Sequence, residues 1–187
     1  FAGALVALVA TIIILGQFLQ MVEQRPGVAF ADPILQYLTP MDLSLPAFAL
    51  VYGVVVLTLI ALQDDPRKVL LGLLSYTILV WIRICAMYLL PLNPPAGMIP
   101  LADPMAEIFA TGGVMTKDLF FSGHTATCFM MFLLTKGTKY AKFILACTIG
   151  VAVSVLIQHV HYSIDVFAAP FFAWSAWSVA KKLESKR

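Results

Sequence analysis

The feature that most constrains this chain is a series of apolar runs, each close to the length a helix needs to cross a lipid bilayer. A hydrocarbon core of ~30 Å takes about 20 mostly apolar residues, with a range of roughly 17–25. Six stretches meet or approach that length: residues 1–21, 44–62, 69–90, 121–135, 140–160 and 162–180. Of the 187 residues, 61% are hydrophobic and 12% charged, against roughly 45–50% and 25% in a soluble domain. One soluble core cannot hide that much apolar side chain. Scarce charge also excludes disorder and nucleic-acid binding, and Cys85, Cys128 and Cys147 all fall inside apolar runs, so they do not suggest a disulfide framework. The expected fold is an all-α integral membrane protein, a six-transmembrane helix bundle forming one domain over residues 1–187. The first run is too long for a signal peptide and lacks a convincing cleavage site. No methionine precedes Phe1, so a longer native N-terminus fits equally well.

Orientation is read from Lys and Arg near the span ends. Arg67, Lys68, Lys136, Lys139, Lys142, Lys181, Lys182, Lys186 and Arg187 fall on one side. Only Arg25 and Lys117 fall on the other, and Arg83 lies within the third run. Nine against two predicts that both termini and the tight turns at 63–68 and 136–139 are cytoplasmic. The long loops 23–43 and 91–120, rich in Pro and Gly, then face the periplasm or lumen, where they are expected to form partial helices roofing a site. Trp174 and Trp177 read as interface anchors, and the terminal basic cluster as a topology anchor.

All three histidines, His124, His159 and His161, fall at that outer side. Asp165 follows His161 by four residues, a spacing that brings two helical side chains to one face. A carboxylate against one imidazole nitrogen fixes the tautomer and makes the other nitrogen a better base or nucleophile. The alternative is a structural pair locking two helices. Ser122-Gly123-His124-Thr125 opens the fourth run, where backbone N–H groups, a glycine and two hydroxyls form a cradle suited to phosphate; a plain helix cap would look the same. Arg83, about 10 Å below the outer end of its run, offers a fork matched to phosphate oxygens, unless it snorkels to the surface. Lys117 and Asp118 stand just ahead of the cradle and either extend the site or sit in a wet loop. Together these residues describe a phosphoryl-transfer site that needs no metal or other cofactor. One histidine attacks phosphorus and the other protonates the departing alkoxide.

These segments resemble the type 2 phosphatidic acid phosphatase superfamily, and most closely its sphingomyelin synthase branch. The second and third family motifs are matched by Asp118-Leu119-Phe120-Phe121-Ser122-Gly123-His124-Thr125 and His161-Tyr162-Ser163-Ile164-Asp165-Val166, and a synthase-like signature by Arg83-Ile84-Cys85-Ala86-Met87-Tyr88 leading to Pro91 and Pro94. The resemblance implies that His161 is the nucleophile, Asp165 its orienting carboxylate and His124 the general acid, on the extracytoplasmic side. Two departures stand out. Val155 occupies the position of an arginine found in the phosphatase branch, and the phosphatase first motif is missing, which favours the synthase-like branch. Val160 replaces an acidic residue of the animal synthases, which weighs against a choline or ethanolamine head group.

The expected activity is therefore transfer of a phospho-head group from a phospholipid to a lipid alcohol or to water. The substrates are membrane lipids, and self-association is allowed. The competing readings are a lipid phosphate monoesterase and a non-enzymatic metal-binding protein or transporter using His124, His159, His161 and Asp165. For the latter, His159 and His161 are two apart, and only a bent junction could aim both at one ion.

Overall fold

A computed structural model of the chain describes residues 1–101 and 115–185. The described residues form six α-helices: α1 (Ala2–Gln24), α2 (Ser44–Leu62), α3 (Pro66–Leu89), α4 (Gly123–Thr135), α5 (Ala141–Ile157) and α6 (Ser163–Glu184), with a single 3₁₀ turn at Leu35–Tyr37. Among these residues there is no strand, only an isolated parallel bridge between Val28 and Leu92. The structure is thus all-helical with long apolar helices, as a multi-pass membrane protein requires. Three helices, α1, α2 and α3, are long and apolar enough to cross a membrane, while α4 and α5 are apolar but shorter. At 1.5 Å per residue the 13 residues of α4 span about 20 Å, less than the hydrocarbon core. Part of the 91–120 loop, and Lys186 and Arg187 of the basic tail, lie outside the described residues.

Local chemistry sets the helix ends. The turn expected at 63–68 is half helix, because Pro66 occupies the first helical position and the Asp65 carboxylate accepts the Lys68 N–H at 3.1 Å. The α4 helix starts at Gly123 rather than at residue 121, since Phe120 (φ 60°) and Phe121 (φ 44°) are in the left-handed region. Ser122 then caps it, its hydroxyl accepting the Thr125 N–H at 3.3 Å.

Packing follows membrane rules, with small residues where helices approach closely. Along α6, Ala169, Ala173, Ala176 and Ala180 are fully buried against Leu79 of α3 and Met130 and Leu134 of α4. A second cluster joins Val54 of α2 and Cys128 of α4 to Ile144, Cys147 and Val151 of α5. The cysteines are free, Cys128 and Cys147 buried and Cys85 exposed. Helix α1 lies outside this core, packed on α3, with Val6, Val9, Ile12 and Ile13 facing outward. Its Thr11 hydroxyl accepts the Trp81 indole N–H at 3.2 Å.

The two long loops are stitched together at one end of the bundle. Val28 N–H donates to Pro91 O and Asn93 N–H to Val28 O, each at 3.0 Å. Fully buried Gln158, beyond the end of α5, accepts from Leu43 N–H and donates to the Ser44 hydroxyl and the Ile99 carbonyl. Among the described residues these contacts join the two loops at that end of the bundle. In loop 23–43 the expected partial helix amounts to one 3₁₀ turn.

Candidate functional site

Arg83, Asp118, the Ser122–Thr125 segment, His161 and Asp165 come together where α3, α4 and α6 meet, whereas Lys117 and His159 are engaged by the loops. His161 and Asp165 are 2% and 0% exposed. The His161 Nδ1 lies 3.4 Å from Asp165 Oδ2, which also accepts the Tyr162 N–H at 3.2 Å. The pair does not run up a helical face as its spacing suggested. Tyr162 is the cap of α6, so His161 stands just outside the helix and Asp165 reaches back to it from the first turn. Asp165 Oδ1 is buried without a hydrogen-bond partner among the described residues. A carboxylate this sparsely satisfied is costly to bury, which marks the position as more than packing.

The Asp165 backbone joins this helix start to the other. Its carbonyl accepts the Ser122 N–H at 3.0 Å, so the start of α4, with His124 on it, is hydrogen-bonded to the start of α6. The two histidine-bearing segments are therefore neighbours. The His124 ring meets Phe48 of α2 edge-on, with centroids 5.5 Å apart.

Arg83 ties the third element in. Buried to 6% exposure, it donates to the Phe121 carbonyl at 2.7 Å and the Asp118 carbonyl at 3.3 Å, and pairs with the Asp118 carboxylate at 2.6 Å. Snorkelling is thereby replaced by three protein acceptors. The guanidinium lies directly over Gly123, where an added Cβ would stand 2.6 Å from Nη1. Only glycine lets it approach the first turn of α4 so closely. Burial raises the Asp118 pKa, but attraction to Arg83 and a hydrogen bond from it outweigh this and hold it below the ordinary 3.8.

Lys117 is engaged elsewhere: its ammonium donates to the Arg25 carbonyl at 2.7 Å, and its N–H to Glu23 at the end of α1. Thr125 is buried within the cap of α4, donating to the Ser122 hydroxyl at 3.1 Å. Both His159 ring nitrogens face loop carbonyls, Ala96 O at 3.0 Å and Leu38 O at 3.1 Å. Among the described residues, no group of three or more His, Cys, Asp or Glu side chains is gathered as for a metal ion.

Two supports were missed in the sequence. Buried Asp32, from the 23–43 loop, accepts from Ser163 N–H (2.7 Å) and its hydroxyl (2.9 Å) through one oxygen, and from Ile34 and Leu35 N–H through the other. Burial raises its pKa, but the four donors more than compensate, leaving it lowered. It holds the first residue of α6, two positions after His161. The only local signal is an Asp-Pro step in a loop, which announces a turn but not its distant partner. The second is the left-handed backbone of Phe120 and Phe121, which with His159 (φ 55°) are the positive-φ residues other than glycine among those described. Such strain clusters at functional sites.

Residues 116–182, spanning both helix starts and α4 to α6, match the family described as PAP2 superfamily C-terminal. The matched part is a little over a third of the chain, and over that part the chain is similar to the PAP2 superfamily. Comparison with curated proteins and with solved structures finds no match.

Proposed function

We propose that this chain is a metal-independent lipid phosphotransferase of the sphingomyelin synthase-like kind. It would carry a phospho-head group from a phospholipid to a lipid alcohol, or to water, through a phosphohistidine. His161 Nε2 attacks phosphorus; a nitrogen–phosphorus bond forms as the bond to the lipid alkoxide breaks. Protonated His124 delivers a proton to that alkoxide. In the second half, neutral His124 takes the proton of the acceptor hydroxyl, whose oxygen displaces the phospho-group and restores His161. Asp165 holds the His161 Nδ1 proton and stabilises the imidazolium character that develops in attack. Arg83, Ser122, Gly123 and Thr125 shape the phosphate seat: the fork over Gly123 and the first-turn amides of α4 supply positive potential, while Asp118 fixes the fork. Lys117 adds charge at the rim.

The observation that carries this reading is the double engagement of Asp165, its carboxylate at His161 and its carbonyl at Ser122. A 3.4 Å imidazole–carboxylate contact is long, as catalytic hydrogen bonds often are before substrate binds. In this reading the bundle crosses the membrane six times with both termini in the cytoplasm, and the site opens on the extracytoplasmic side.

Purified protein given labelled phospholipid with ceramide or diacylglycerol should form a labelled acceptor product. His161→Ala should lower turnover by at least about 1,000-fold and His124→Ala by about 100- to 10,000-fold. Unchanged rates in both variants would overturn the mechanism. Phosphate release without any acceptor, and no acceptor product when one is present, would make the enzyme a monoesterase instead, the reading that the phosphatase character of the family favours.

A further inference from the structure

A cavity of about 480 Å³ begins at Arg83, Asp118, Gly123 and His124 and continues between α2, α3 and α4 to Leu62 and Lys68 at the opposite end of the bundle, with α1 as its outer wall. From Arg83 to Lys68 is 15 residues of α3, about 22 Å. One end carries an arginine, a histidine and a helix start beside the Asp118 carboxylate; the rest is lined mostly by hydrocarbon, including Val55, Leu59, Leu73 and Met130, interrupted by Thr58, Tyr76 and Thr127 and ending at Lys68. An amphiphile with an anionic head at Arg83 and one long apolar tail fits that lining along the stretch between the head end and the mouth at Lys68. Within a bilayer, burial of a tail gains no hydrophobic energy over the surrounding lipid, so such a slot selects by length and shape.

Gly72 lies eleven residues below Arg83, about 16 Å. It lines the slot together with Leu134, and a Cβ on it would stand 3.1 Å from Leu134 Cδ1. Any larger side chain must displace Leu134 or project into the slot, closing its far third and leaving the part beside Arg83 open. Resting on the lipid phosphotransfer proposed above, we propose that the slot holds one hydrocarbon chain of the phosphorylated lipid and that Gly72, facing Leu134, sets how long that chain can be.

The test uses the full chain in nanodiscs with diacylglycerol or ceramide as acceptor and phospholipid donors differing only in acyl length. Gly72→Leu should lower turnover of long-chain relative to short-chain substrate by about tenfold, with the short-chain rate within about twofold of the parent. Adding Leu134→Ala should restore the long-chain rate. An equal fall at every length in folded protein, or no change at any length, overturns the assignment. A phosphatidic acid with a diazirine at its tail end supplies a readout without turnover. Crosslinks to α3 and α4 around Gly72 and Leu134 support the slot, and crosslinks confined to outward-facing side chains sink it. If the parent turns over no phospholipid, the proposed reaction fails while the crosslinks still decide the slot.

Discussion

Helices α1 and α6 are nearly equal in length, 23 and 22 residues, yet they are opposite solutions to life in a membrane. The first has a mean hydropathy of 2.3 over its best window, of which only 6% is buried. The second is too polar to qualify as a span by hydropathy, but it buries four alanines along one stripe and carries Asp165 in its first turn. Hydropathy thus finds the helix that faces lipid and passes over the helix that builds the site. The start of α6 can carry polar residues because that end is covered by the protein, Asp165 being 0% exposed, although Ile164, Phe167 and Phe171 of the same helix face outward.

The largest way to break this contrast is to make the same kind of change in both helices. Ala173→Leu forces a side chain into the packed stripe of α6 and should cost about 1–3 kcal/mol, whereas Val9→Leu on the outward face of α1 should stay within about 0.5 kcal/mol. Thermal unfolding in detergent measures both; equal effects would mean that α6 is not the packed core.

Asp32→Ala sharpens the contrast at the helix start. Loss of the acceptor for Ser163 should cost about 1–2 kcal/mol and lower turnover with little change in KM, because His161 and Asp165 lose their fixed relation. The variant should also lose stability as compared with Asp32→Asn, which keeps one acceptor.

The smallest effect is a dependence on pH. The Asp118 carboxyl is held below 3.8 in the folded protein, so its pairing with Arg83 contributes stability above that value, which is lost as pH falls through the lowered pKa. The difference in unfolding temperature between the parent and Asp118→Asn should stay level from neutrality to about pH 4 and shrink below it. A difference that grows on acidification would contradict the pairing.

Much of this was legible in the chain. The bounds of α2 follow from its apolar run at 44–62, because proline-rich polar loop and a capped turn flank it. The Ser122 and His161 segments were legible because polar residues inside apolar sequence require a reason. What could not be read were relations between distant backbones. Nothing local tells that the Asp32 carboxylate caps a helix 131 residues away, or that the Ser122 amide donates to Asp165. The charge and depth of Arg83 are evident in the sequence, but its protein acceptors at Phe121 and Asp118 adjoin a left-handed turn at Phe120 and Phe121 that no propensity of phenylalanine predicts.

The proposed chemistry is tested most directly by trapping the intermediate. The parent protein, exposed briefly and without acceptor to phospholipid with a radiolabelled head-group phosphate and then denatured in alkali, should carry an acid-labile, alkali-stable label that peptide mapping assigns to His161. Label on another residue, or no label while His161→Ala turns over lipid as fast as the parent, would contradict the account.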